Sequence, residues 1–186
     1  DAGETWVEIS ETNQAIYDFH FLDENNGFAT GEYGATYKTT DGGTTWNQIF
    51  FQNGFVAVTS MYGIYFQNKN IGYATGDRGR IIKTTDGGNT WTPHSITYND
   101  FSQIDFINKD LGYALQGNNF YKTIDAGSTW NNLGPPLKNE KTSRFDFINE
   151  NLGYALVGGT IGTSGNTGSV YKTINGGISW TKLNNG

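Results

Sequence analysis

KTTDGGTTW, running from Lys38 to Trp46, joins a turn-forming Asp-Gly-Gly to a bulky aromatic, and it recurs. KTTDGGNTW spans Lys83 to Trp91, KTIDAGSTW Lys122 to Trp130, and KTINGGISW Lys172 to Trp180. A truncated copy, DAGETW, occupies Asp1 to Trp6. The tryptophans at 6, 46, 91, 130 and 180 are 40, 45, 39 and 50 residues apart. Self-similarity at that period is the signature of propellers and solenoids.

Each unit carries two further landmarks upstream of the motif. One is a Gly-aromatic-Ala step, as in GFAT at Gly27 and GYAL at Gly153. The other is an alternating segment such as FDFINEN at Phe145, whose period of two marks a strand. Asn, Asp and Gly clusters punctuate these runs as turns. The first complete unit reads as strand A over Ile16 to Leu22, B over Gly27 to Gly31, C over Thr36 to Thr40 and D over Thr45 to Phe50. Four short antiparallel strands per unit make one blade of an all-β propeller. A β-solenoid is the alternative, with coils that are usually shorter and less aromatic. Units fall at about 11–50, 51–97, 98–134 and 140–186, with 1–10 a remnant outer strand.

Chemistry inside the motif is poorly supported. A calcium loop needs several converging oxygen ligands, and each copy offers one Asp, replaced by Asn175 in the last. A phosphate loop needs a helix N-terminus behind it. A turn explains every position: Asp or Asn accepts backbone N–H bonds, Gly tolerates positive φ, and Trp offers an apolar face to a neighbouring blade. Asp1, Trp6, Asp41, Trp46, Asp86, Trp91, Asp125, Trp130, Asn175 and Trp180 are therefore read as structural.

Thr-x-Asp-Gly-Gly-x-Thr-Trp resembles the Asp-box, or bacterial neuraminidase repeat. The longer unit GYATGDRGRIIKTTDGGNTW, Gly72 to Trp91, resembles the propellers of the photosystem II assembly and stability factor family and its secreted bacterial relatives. That resemblance implies a box in the turn between the third and fourth strands, on the face opposite the ligand site. It also implies a bacterial protein that is secreted, periplasmic or on the cell surface. Sialidases and xyloglucanases carry the same box, so it says little about activity.

Composition narrows the partners. Formal charge is −6, with arginine only at 78, 80 and 144, so no footprint for a phosphate backbone exists. No apolar run approaches the ~20 residues of a membrane helix, so neither nucleic acid nor membrane insertion is expected. Cysteine is absent, which removes disulfides and thiolate chemistry. Asp1 falls inside a repeat unit, an expectation that something precedes it.

Four complete units and one extra N-terminal strand, Thr5 to Ile9, make an awkward count for a ring. The final unit already has its own D strand, Ile178 to Leu183. Three readings stay open: part of a longer propeller, an open arc that closes on a second copy, or a compact four-bladed ring.

If A runs from the upper face to the lower, the D-to-A and B-to-C connections share one face and the boxes the other. Binding is then expected among Tyr33, Asp77, Arg78, Arg80, His94, Tyr98 and Arg144. The long loop Gly158 to Ser169 belongs to that face, and its Gly/Ser/Thr content reads as mobile. Arg78 and Arg80 share one loop, unlike the three arginines from separate blades that a sialidase needs. Asp105 and Asp146 occupy equivalent A-strand positions, where His20 and Tyr65 stand in the other units. A glycosidase pair would need two carboxylates facing across a cleft, and repeat equivalence explains these two more simply. His20 and His94 lack a third metal ligand at suitable spacing. No cofactor is expected. The sequence thus reads as a non-enzymatic protein-interaction or assembly scaffold module that uses its loop face. Carbohydrate binding, or a fragment of an Asp-box glycoside hydrolase, is the alternative, and self-association to close the ring remains open.

Overall fold

The computed structural model describes residues 14–49, 60–94, 99–135, 142–158 and 168–183. These form four four-stranded antiparallel sheets, each with its strands in chain order. The first holds β1 (Ile16–Phe21), β2 (Gly27–Gly31), β3 (Thr36–Thr39) and β4 (Asn47–Gln48). The second holds β5 (Met61–Phe66), β6 (Gly72–Gly76), β7 (Arg80–Thr84) and β8 (Thr92–Pro93). The third holds β9 (Phe101–Phe106), β10 (Gly112–Gln116), β11 (Asn119–Thr123) and β12 (Asn131–Gly134). The fourth holds β13 (Thr142–Phe147), β14 (Gly153–Val157), β15 (Ser169–Thr173) and β16 (Thr181–Lys182). These are propeller blades. Asp1, Trp6, the strand expected at Thr5 to Ile9, Tyr98 and most of the Gly158 to Ser169 loop lie outside the described residues.

The Asp-box is a closed hydrogen-bonded turn. Gly43 N–H donates to Thr39 Oγ1 at 2.9 Å, while Thr45 donates its N–H to Asp41 Oδ1 at 2.9 Å and its hydroxyl to Asp41 Oδ2 at 2.6 Å. The second and third boxes repeat these bonds around Asp86 and Asp125. Strand D is consequently shorter than expected in the first unit, Asn47–Gln48 in place of Thr45 to Phe50. Asp41 holds the N–H of Thr45 inside the turn, so the ladder starts later.

Blades join through aromatic stacks repeated in register. Phe28 of β2 lies on Phe66 of β5 at 3.4 Å, Tyr73 of β6 on Phe106 of β9 at 4.3 Å, and Tyr113 of β10 on Phe147 of β13 at 3.7 Å. The box tryptophan of each receiving blade meets that phenylalanine close to edge-on, as Trp91 does Phe66 at 6.0 Å and 89°. Each of the three larger cores therefore lies between two blades. Burying these rings is the main stabilising term, at about 25 cal/mol per Å² of apolar surface.

The two faces divide as expected. Gly42 N–H donates to Asn25 O at 3.0 Å, tying the box to the A–B turn below. Above, Asp77 N–H donates to Ser60 O at 3.0 Å, tying the B–C turn to the approach to the inner strand. The compact four-bladed ring is not what the chain forms. Phe19 is 65% exposed on the first blade, whereas its counterparts Ile64, Ile104 and Phe145 are 3–5% exposed. The four blades make a partial propeller.

Candidate functional site

Strict alternation would point one half of each inner strand into a joint and the other half toward the axis. All four inner strands depart from it at the same place. The pairing slips between Ile16 and Asp18, Met61 and Gly63, Phe101 and Gln103, and Thr142 and Arg144. The extra residues are Tyr17, Tyr62, Ser102 and Ser143. Such bulges re-aim side chains, and these four all line one cavity of about 550 Å³, with Asp100, Gly117, Thr142 and Arg144 completing it. Every blade thus contributes to one site on the loop face. Tyr17 and Tyr62 stand side by side, ring centres 5.3 Å apart.

The polar frame is held by the B–C turns. Asp77 accepts the Tyr62 hydroxyl at 2.7 Å and the Ser60 N–H at 2.8 Å, and that carboxylate pushes the Tyr62 phenol up to about 12. Arg78 donates its backbone N–H to Asp100 Oδ1 at 2.8 Å, from a left-handed backbone with φ of 58°. Arg78 thus presents its main chain to the site frame. Arg144 is the only Lys or Arg among the lining residues. Its guanidinium donates to Ser102 O at 3.4 Å.

Below the mouth, the next rung clasps blade to blade. Asp18 Oδ2 accepts Ile64 N–H at 2.9 Å, and Gln103 accepts Phe145 N–H at 3.0 Å while donating to Phe145 O at 2.7 Å. The second blade has Gly63 at that position. A Cβ there would lie 2.8 Å from Thr75 Oγ1 and 3.2 Å from the Gln103 backbone, so only glycine fits this approach. Deeper still stand His20, Tyr65, Asp105 and Asp146. His20 and Tyr65 touch, with ring centres 4.7 Å apart. Burial, with the charges of Asp146 and Asp18 adding, raises the Asp105 carboxyl to about 6.

Of the residues singled out from sequence, Arg144 lines the cavity and Asp77 and Arg78 hold its frame. Tyr33 sits in the first B–C turn, 63% exposed with φ of 53°, outside the lining. Arg80 begins β7, partly buried, directly after the second B–C turn. His94 directly follows β8 and donates its N–H to Ile81 O at 2.6 Å. Ile49 and Leu183 occupy the same place and make the same bond. Burial lowers the basicity of His94, and it lies outside the cavity lining. Tyr17 and Tyr62 escaped the sequence reading because a bulge breaks the alternation it relied on. Aligning the units shows them in the column before Asp18, Gly63, Gln103 and Arg144. Among the described residues no three His, Asp or Glu side chains converge as metal ligands.

Solved structures share the fold. YCF48 bound to D1 peptide is 16% identical with a TM-score of 0.60, over 92% of this chain and 82% of that one. YCF48 from Cyanidioschyzon merolae is 18% identical with a TM-score of 0.62, over 98% of this chain and 64% of that one. An ancestral GH74 enzyme is 16% identical with a TM-score of 0.74, over 98% of this chain and 27% of the enzyme. The chain therefore spans most of the first, under two thirds of the second and about a quarter of the third. No curated protein matches the sequence. The family described as Photosynthesis system II assembly factor YCF48 matches residues 51–185, most of the chain, and the chain belongs to that family.

Proposed function

We propose that this chain is a non-enzymatic interaction module whose loop-face cavity takes a segment of a partner protein. The observation that carries this reading is the bulge shared by all four inner strands, which turns one side chain from every blade into one mouth. Two tyrosines there suit an apolar or aromatic side chain, and Arg144 suits a carboxylate beside it. The family match and a relative solved as YCF48 bound to D1 peptide support protein as the partner class. An exported location belongs to the same proposal and is tested by fractionating the source cells.

Paired tyrosines also suit the faces of a sugar, so the experiment runs both classes. A displayed random peptide library and a glycan array are probed with the chain and with Arg144→Ala. Peptides captured by the parent and lost by the variant support the proposal, and glycan binding without peptide capture overturns it. Turnover of a chromogenic glycoside that disappears in Asp105→Asn would overturn the non-enzymatic part.

A further inference from the structure

The B–C turns of the first and second blades carry a large side chain where the backbone favours glycine. Tyr33 has φ of 53° and ψ of 29°, and Arg78 repeats that conformation with φ of 58° and ψ of 36°. A bulky side chain is strained in the left-handed region. The third blade avoids the strain, because the left-handed position of its turn is Gly117, with φ of 56°. Strained residues of this kind cluster at ligand sites. Packing does not account for Tyr33, whose side chain is 63% exposed. Main-chain bonds of its neighbours close the turn: Ala35 N–H donates to Glu32 O and Gly31 N–H to Ala35 O, both at 2.9 Å. Glycine at this position would relax the backbone and uncover little.

The place of the turn gives the ring its use. Glu32 N–H donates to Ala15 O at 2.8 Å, just ahead of Tyr17, and the turn lies against β5, the strand that carries Tyr62. Tyr33 therefore stands at the joint of the first and second blades, beside the tyrosine pair. In the third blade the left-handed residue, Gly117, lines the cavity itself, and a Cβ there would meet no atom within 4 Å. Side-chain size changes in both rows at the same blade. The bulge row reads Tyr17, Tyr62, Ser102 and Ser143, and the turn row Tyr33, Arg78 and then Gly117. The mouth is thus walled on one side and open on the other.

We propose that Tyr33 is a second anchor for the bound segment, which fills the cavity and continues over the first B–C turn. There the exposed ring takes an apolar or aromatic side chain of the partner. This inference rests on the loop-face reading above and adds to it a contact outside the cavity, with a direction for the segment, toward the first blade.

The test measures, by titration calorimetry, a synthetic peptide that the parent chain selects from the displayed library. It is titrated into the parent, Tyr33→Gly, Tyr33→Asn, Tyr33→Phe and Arg144→Ala. Gly and Asn both accept a left-handed backbone and remove the ring. Each is expected to weaken binding roughly tenfold or more, with an unfolding midpoint that stays level or rises. Tyr33→Phe keeps the ring and should keep the parent's affinity. A peptide shortened to the part that fills the cavity should bind the parent and Tyr33→Gly alike. Parent-like affinity in Tyr33→Gly, beside a loss in Arg144→Ala, overturns this inference and leaves the cavity reading standing. A midpoint that falls in both Tyr33→Gly and Tyr33→Asn overturns it too, by assigning the ring to the fold. Full affinity in both Tyr33→Gly and Arg144→Ala, or no peptide selected at all, overturns both readings.

Discussion

Asn175 donates its side-chain amide to the Ser179 hydroxyl at 2.8 Å, reversing the bond that the threonine hydroxyls give to the carboxylates of the other three boxes. The remaining bonds persist: Asn175 Oδ1 still accepts Ser179 N–H, and Thr173 Oγ1 still accepts Gly177 N–H, both at 3.0 Å. One turn therefore forms with or without the negative charge. The box supplies geometry, as its loss of a carboxylate suggested. Asn175→Asp should leave the urea midpoint unchanged at neutral pH, because Ser179 can turn its hydroxyl to donate.

The buried threonine matters more than the acid. Thr84 is 1% exposed and accepts Gly88 N–H at 2.9 Å. Thr84→Val keeps the shape and removes the acceptor, leaving a buried N–H unpaired at a cost of about 1–3 kcal/mol. Urea unfolding should show that loss, and an unchanged midpoint would refute the turn account.

Gly63 is expected to tolerate nothing larger. Its missing Cβ lets the second blade approach Gln103. Gly63→Ala should cost about 1–3 kcal/mol through overpacking, read as a lower thermal midpoint. Gly117 lacks that steric conflict, because a Cβ there would meet no atom within 4 Å.

Stability should depend on pH in two opposite ways. Asp105 is raised to about 6 by burial, so its contribution is full below the ordinary carboxylate range and is lost as pH rises toward 6. Asp105→Asn should then raise the melting temperature at pH 7.5 and change little at pH 4. Asp125, lowered to about 2 by its bonds from Thr129, acts in reverse: its contribution is present above the ordinary range and lost as pH falls toward 2. A parent chain whose stability is flat from pH 4 to 7 would contradict the Asp105 half.

The fold was legible because its signals are local and repeated. Turn chemistry in the box and period-two alternation in FDFINEN are read residue by residue, and repetition multiplies a weak signal. The site was only partly legible. Arg144, Asp77 and Arg78 could be placed on the loop face, but which of them meets the cavity depends on the bulge that aims Tyr17 and Tyr62. A bulge is decided by pairing across strands. His94, just past an outer strand, follows the register of Ile49, and its residue type gave no sign of that.

The loop-face account is tested most directly by titrating the isotopically labelled chain with a captured peptide and following its amide resonances. The predicted result is that Tyr17, Tyr62, Ser102 and Arg144 shift with one common affinity while the box glycines Gly88, Gly127 and Gly177 stay still. Shifts confined to the box face or the blade edges, with the cavity residues unmoved, would contradict it.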